Sequence, residues 1–143
     1  MNSTAFHSAD ILIPKDCDMQ KWSVIACDQY TSEPEYWEDA KNIVGDAPSA
    51  LNIILPEVYL GNNKEQRIEM INENMGKYLS GGVFDTFENS MIYVERESNN
   101  TVRKGIVGLI DLEDYDYNKG SHSLIRATEQ TVLERIPPRV QIR

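Results

Sequence analysis

Apolar positions recur at helical spacing in two stretches of the chain, and each stretch predicts a helix. The first helix is expected to begin near Ser32, with Pro34 in its first turn, and to end at Gly45. The second is expected over about residues 63–79, where Gly81 and Gly82 follow as a stop. One apolar stripe defines this second helix, and it consists of Ile68, Ile71, Met75, Tyr78 and Leu79.

Other stretches have the shorter runs and alternations that are typical of strands. Asn99 and Asn100 separate two of them and tolerate the left-handed turn of a hairpin. The last five residues alternate basic and apolar side chains, as expected for a strand with two different faces. The predicted strands are Ile11–Ile13, Trp22–Ala26, Ala50–Ile54, Ser90–Arg96, Val102–Leu112 and Arg139–Arg143.

This mixture predicts an α+β (or α/β) fold, with a mixed sheet, a β-hairpin and two main helices. Residues 1–10 are polar and are expected to be loose, and residues 11–143 are expected to form a single α+β domain. Because the last predicted strand ends at the last residue, we expect the chain to be the N-terminal fragment of a longer protein. The missing C-terminal part is then an expected partner.

Composition narrows the class of protein. The 143 residues are 41% hydrophobic and 26% charged, and the formal net charge of −9 argues against a dedicated nucleic-acid binder. The sequence contains no apolar stretch of membrane-spanning length and no signal peptide, so we expect no membrane association. Two cysteines without a Cys-x-x-Cys pair favour reduced thiols in the cytoplasm.

The end of this acidic chain is basic, because residues 126–143 hold four arginines against two glutamates. The segment combines arginines, which bind phosphate bidentately, with hydroxyls and a carboxylate. One interpretation is a phosphate- or nucleotide-binding site at a helix entrance, and the other is a helix cap with surface salt bridges. The candidate binding residues are Arg126, Thr128, Thr131, Arg135 and Arg139, and Glu129 is a candidate catalytic residue.

Asp28 is a second candidate for catalysis or metal binding. It follows the apolar run Trp22–Ala26 almost directly, and residues at strand ends often line ligand crevices. No histidine or cysteine at metal-ligand spacing accompanies it, so the sequence identifies no metal site. An ordinary loop position is the alternative interpretation.

Four segments in order resemble the domain-of-unknown-function 1015 family, an uncharacterised prokaryotic family. Thr128 and Pro138 stand where many members have histidine and aspartate, whereas Glu129, Thr131 and Arg139 match the family signature. The matching segments are Trp22–Trp37, Asp46–Glu57, Gly105–Tyr115 and Ile125–Arg139.

The resemblance implies little about activity. Some members are described as similar to ParB, whose group, shared with sulfiredoxin, binds nucleotides at an arginine-bearing helix entrance. It therefore implies a ParB/sulfiredoxin-like fold and a nucleotide with Mg, or another phosphorylated small molecule, as the ligand. A non-catalytic interaction module is the alternative function, and a ParB-like DNA-associated protein is a weaker one. Whether the protein is an enzyme stays open.

Overall fold

The computed structural model describes residues 4–61, 63–116, 118–126 and 133–142. The chain divides into two compact units. The first combines Met1–Ile13 with Thr86–Thr131, and the second combines Pro14–Asp85 with Val132–Arg143. Thus each unit is built from two separate stretches of the chain.

Among the described residues, four α-helices lie in the second unit. Short 3-10 turns occur at Ala50–Ile53, Glu57–Tyr59, Leu112–Asp114 and Leu133–Arg135. The α-helices are α1 (Met19–Trp22), α2 (Pro34–Val44), α3 (Lys64–Ser80) and α4 (Ile136–Val140).

The strands among the described residues form four two-stranded sheets, in which β1 pairs with β6, β2 with β3, β4 with β5 and β7 with β8. The β1–β6 and β4–β5 pairs are antiparallel, and the β7–β8 pair is parallel. The strands are β1 (Phe6–His7), β2 (Ala9–Pro14), β3 (Phe84–Ser90), β4 (Ile92–Ser98), β5 (Thr101–Val107), β6 (Leu109–Ile110), β7 (Tyr115–Asp116) and β8 (Ile125–Arg126).

The two main helices and the hairpin are confirmed, and with them the mixed α+β class. Helix α2 begins at Pro34, two residues after Ser32, and its N-terminus has no side-chain cap. Asn99 and Asn100 both have left-handed backbone angles, with φ of 50° and 59°, as the hairpin turn requires. Residues 6–7 and 9–14 form strands, so part of the N-terminal stretch that was expected to be loose has regular structure.

Three strand predictions are wrong. Asp18 caps α1 by accepting from the backbone N–H of Gln20, so Trp22 ends a helix and residues 23–26 are irregular. Ser49 accepts from the N–H of Leu51 and starts a 3-10 turn in the run that was predicted as a strand. The first residues of the predicted final strand belong instead to α4. Pro137 and Pro138 lie in the first turn of this helix, where proline is tolerated.

The core of the second unit surrounds α3. Leu55, Ile68 and Ile71 form a buried apolar cluster, against which Ile142 packs from the C-terminal stretch. Trp37 of α2 is only 1% exposed. Among the described residues, no helix is both long and apolar enough to cross a bilayer.

Candidate functional site

An ion pair between distant parts of the chain marks the candidate site. The guanidinium Nη2 of Arg139, in α4, lies 2.6 Å from Oε1 of Glu57. The side chain of Glu57 is only 5% exposed, whereas that of Arg139 is 52% exposed. A nearly buried carboxylate thus orients a guanidinium that stays open to solvent.

Asp28 belongs to a turn that is hydrogen-bonded to the same residue. The backbone N–H of Glu57 donates to the carbonyl oxygen of Cys27 over 2.9 Å. Asp28 follows Cys27 in this turn, and its side chain is exposed. The turn of Asp28 and the helix of Arg139 are therefore both hydrogen-bonded to Glu57, although they lie far apart in the sequence.

The stretch after α4 is anchored on α3. The side-chain amide of Asn72 donates to the carbonyl oxygen of Gln141 over 3.1 Å, and Ile142 packs on the buried cluster of Leu55, Ile68 and Ile71. These contacts hold α4, and Arg139 with it, against the helical core of the second unit.

The loop that leads to Glu57 is fixed by a polar network around Tyr78. The Tyr78 hydroxyl accepts from the backbone N–H of Ser49 over 3.0 Å and from the amide nitrogen of Asn52 over 2.9 Å. Ser49 is fully buried, so these hydrogen bonds hold the segment before Glu57 in one conformation.

The other predicted site residues lie in different units or outside the described residues. The backbone of Arg126 lies in β8 of the first unit, and that of Arg135 ends the 3-10 turn before α4 in the second unit. The predictions for Thr128, Glu129 and Thr131 fall outside the described residues.

Sequence reasoning missed Glu57 as a site residue. It lies in a segment that carried the family resemblance, yet no local pattern pointed to a partner 82 positions away. The only local signal was that Glu57 directly follows a proline, Pro56, which ends an apolar run.

The chemistry available here is anion recognition. A guanidinium held by one carboxylate can offer N–H donors on its other edge to a second anion. Within the described ranges, no group of three or more histidine, cysteine, aspartate or glutamate side chains could hold a metal ion. Asp28 therefore has no described set of metal ligands around it.

Comparison with known proteins gives a family without an established activity. No curated protein and no solved structure matches the chain. The likeness to ParB and sulfiredoxin accordingly stays a prediction. The family model described as "Protein of unknown function (DUF1015)" matches residues 12–143, nearly the whole chain. This match confirms the resemblance seen in the four sequence segments, and the chain belongs to the DUF1015 family.

Proposed function

We propose that the protein binds a phosphorylated small molecule, such as a nucleotide with magnesium, at the surface around Arg139. The observation that carries the proposal is the Glu57–Arg139 ion pair, in which the carboxylate is nearly buried and the guanidinium is half exposed. A pre-oriented guanidinium loses less side-chain entropy when it binds an anion, so it suits phosphate recognition.

The proposal assigns a role to three residues of the second unit. Arg139 binds the phosphate, and Arg135, four positions earlier, supplies a second cation. Asp28 lies on the turn that is hydrogen-bonded to Glu57, and its carboxylate is the candidate group for catalysis or metal binding beside the ligand. The roles of Arg126, Thr128, Glu129 and Thr131 stay sequence predictions.

A thermal-shift series tests the proposal. MgATP, MgGTP and inorganic phosphate are added separately to the full chain, and at least one nucleotide is expected to raise the melting temperature. A ligand at 100 times its dissociation constant adds about 2.7 kcal/mol to the free energy of unfolding. If inorganic phosphate also raises the melting temperature, the phosphoryl group is the part of the nucleotide that is recognised.

Matched variants separate phosphate recognition from general charge effects. Arg139→Gln is expected to abolish the nucleotide-induced shift, and Arg139→Lys is expected to weaken it because lysine lacks the bidentate fork. Lys15→Gln removes a cation whose ion pair with Asp85 is exposed, and it should leave the shift intact. No shift with any of the three ligands, or an unchanged shift in Arg139→Gln, contradicts the proposal.

The hairpin of the first unit favours a second candidate function, self-association. At its base, Ile92 and Val107 lie opposite each other on one face. Tyr93 and Ile106 form the next cross-strand pair on the other face, and their side chains are 59% and 61% exposed. Strands with two apolar faces are typical of the interior of a larger sheet structure.

The partner in this second candidate is another copy of the chain. Arg96 and Arg103 oppose each other in the hairpin, and such a like-charged pair favours an acidic partner surface. A copy of this chain, with its net charge of −9, offers acidic surface. Sedimentation equilibrium should show a dimer that Ile106→Glu dissociates and Leu79→Glu, at an exposed position of α3, does not. A monomer at every concentration excludes this function.

A further inference from the structure

A small cavity in the second unit has the features of a ligand site that is separate from the Glu57–Arg139 pair. Its volume is about 110 Å³, and its walls come from α2, the two 3-10 turns of residues 50–59 and α3. Trp37, Leu55 and Ile71 line it, and all three are buried, so most of its floor is apolar.

Arg67 of α3 contributes a cation to the wall of this cavity. Its Nε is buried and has no hydrogen-bond partner in the described parts of the chain. Its guanidinium carbon lies 3.6 Å from the centroid of the Tyr59 ring, so the ring face compensates part of the positive charge. The ring face offers no lone pair to the N–H, however, and a buried unsatisfied donor is costly. A ligand in the cavity can supply acceptors to the guanidinium of Arg67, which lines it.

Tyr59 is itself held in place on this wall. Its hydroxyl donates to Oε1 of Glu38 over 2.9 Å. Burial, followed by this hydrogen bond, raises the pKa of Tyr59 above its ordinary value, so the phenol stays neutral at physiological pH. The ring under Arg67 is therefore a fixed, uncharged platform.

The charges around the cavity favour a monoanion. Arg67 and Lys41 are cationic and Glu38 is anionic, so the charged side chains that line the cavity sum to a single positive charge. Asn52 and Asn74 add neutral amides, and their nitrogen atoms already donate to Tyr78 and to the carbonyl oxygen of Asn52. A dianionic phosphate matches this balance less well than a carboxylate does.

The cavity volume limits the rest of the ligand. One water-sized group needs at least ~10–15 Å³ of this volume, so the cavity has room for about seven non-hydrogen atoms. That is the size of a short aliphatic chain against the apolar floor, with the charged group beside Arg67.

We propose that this cavity binds a short-chain monocarboxylate, whose carboxylate accepts from the guanidinium of Arg67 and whose aliphatic chain packs on Trp37, Leu55 and Ile71. The proposal does not depend on phosphate binding at Arg139, since it uses different residues and a different class of anion.

Butyrate and its neutral isostere butyramide test the proposal by ¹⁵N NMR on the full chain. Butyrate should shift the Nε–Hε resonance of Arg67 and quench or enhance the fluorescence of Trp37, recorded in a Trp22→Phe background. Butyramide and inorganic phosphate should do neither. Equal effects of butyrate and butyramide overturn the proposal, as does the absence of butyrate binding at millimolar concentrations to folded protein.

Variants complete the test. Arg67→Gln should weaken butyrate binding by about tenfold or more, as expected when one partner of a charged hydrogen bond is removed. Arg103→Gln, which removes an exposed arginine of the hairpin, should leave it unchanged. If Arg67→Gln does not fold, Arg67→Lys keeps a cation but lacks the guanidinium, and it is expected to bind more weakly. Unchanged affinity in a folded Arg67 variant overturns the proposal.

Discussion

The two units differ in how they bury their side chains. The second unit contains every residue that is buried among those the structure describes, and the first unit contains none of them. In the first unit, the apolar side chains of β4 and β5 are largely exposed. The buried residues are Trp37, Val44, Ser49, Leu55, Pro56, Ile68, Ile71 and Pro138.

This difference indicates which interactions stabilise each unit. The second unit combines apolar burial with buried hydrogen bonds and an ion pair, whereas hairpin β4–β5 relies mainly on its backbone ladder. A two-stranded hairpin without a packed face is marginally stable in water. We therefore expect the second unit to resist local opening and the hairpin to open readily.

The largest expected effect follows from removing the most buried aromatic side chain. Trp37→Ala should lower the free energy of unfolding by about 3–5 kcal/mol, because it leaves a cavity in the second unit. Tyr93→Ala, in the exposed hairpin, should change it far less, because the Tyr93 side chain is 59% exposed. Urea denaturation measures both, and equal losses would contradict the comparison between the units.

Two long-range ion pairs among the described residues of the second unit should differ in strength. Arg139→Ala removes a charged hydrogen bond to a nearly buried carboxylate and should cost about 1.5–3 kcal/mol. Lys15→Ala removes an ion pair with Asp85 in which both side chains are about half exposed, and it should cost much less, because exposed ion pairs are screened by solvent. The same denaturation measurement applies, and a larger loss for Lys15→Ala would contradict the assignment of Arg139 to a pre-oriented site.

Two tyrosine hydroxyls provide a finer comparison. Tyr78→Phe leaves the N–H of buried Ser49 without its acceptor and should destabilise the protein by about 1–3 kcal/mol. The hydroxyl of Tyr93 donates to Glu95 at the surface, and Tyr93→Phe should have almost no effect. Hydrogen exchange at Ser49 is the most direct local readout, and its protection should fall only in Tyr78→Phe.

The smallest expected effect is a dependence on alkaline pH. Burial and the hydrogen bond to Glu38 raise the pKa of Tyr59, so the folded state holds this proton more tightly than the unfolded state does. Its contribution to stability is complete below the ordinary tyrosine pKa of about 10 and is lost as pH rises through the folded-state value. Tyr59→Phe should therefore lessen the fall in denaturation midpoint at alkaline pH, and an unchanged fall would contradict this reasoning.

Local signals predicted part of the fold. The stripe containing Ile68 and Ile71 is enough to define α3, since helical spacing and the following glycines act within the segment itself. Asn99 and Asn100 likewise define the hairpin turn, because their side chains tolerate positive φ.

Other elements depend on contacts that the sequence does not display. The run that begins at Ala50 has the composition of a strand, yet Ser49 caps a 3-10 turn there and Tyr78, 29 positions beyond Ser49, holds it. The final residues alternate like a strand, but Pro137 and Pro138 suit the first turn of a short helix. Tertiary packing decided both cases.

The candidate site shows the same division. Arginine chemistry singled out Arg139 from the sequence, and an apolar run that ends in a turn singled out Asp28. Glu57, which links them, is hydrogen-bonded to Cys27 and to Arg139 among its partners, and both residues lie far from it in the sequence. Only the folded chain brings these residues together.

Phosphate recognition by the second unit can be located by the NMR shifts that a nucleotide induces. On titration with MgATP, we expect backbone amide shifts to centre on Arg139, Glu57 and the turn of Asp28, with hairpin residues 92–107 unchanged. Shifts that centre on the hairpin, or none at saturating MgATP, would contradict it.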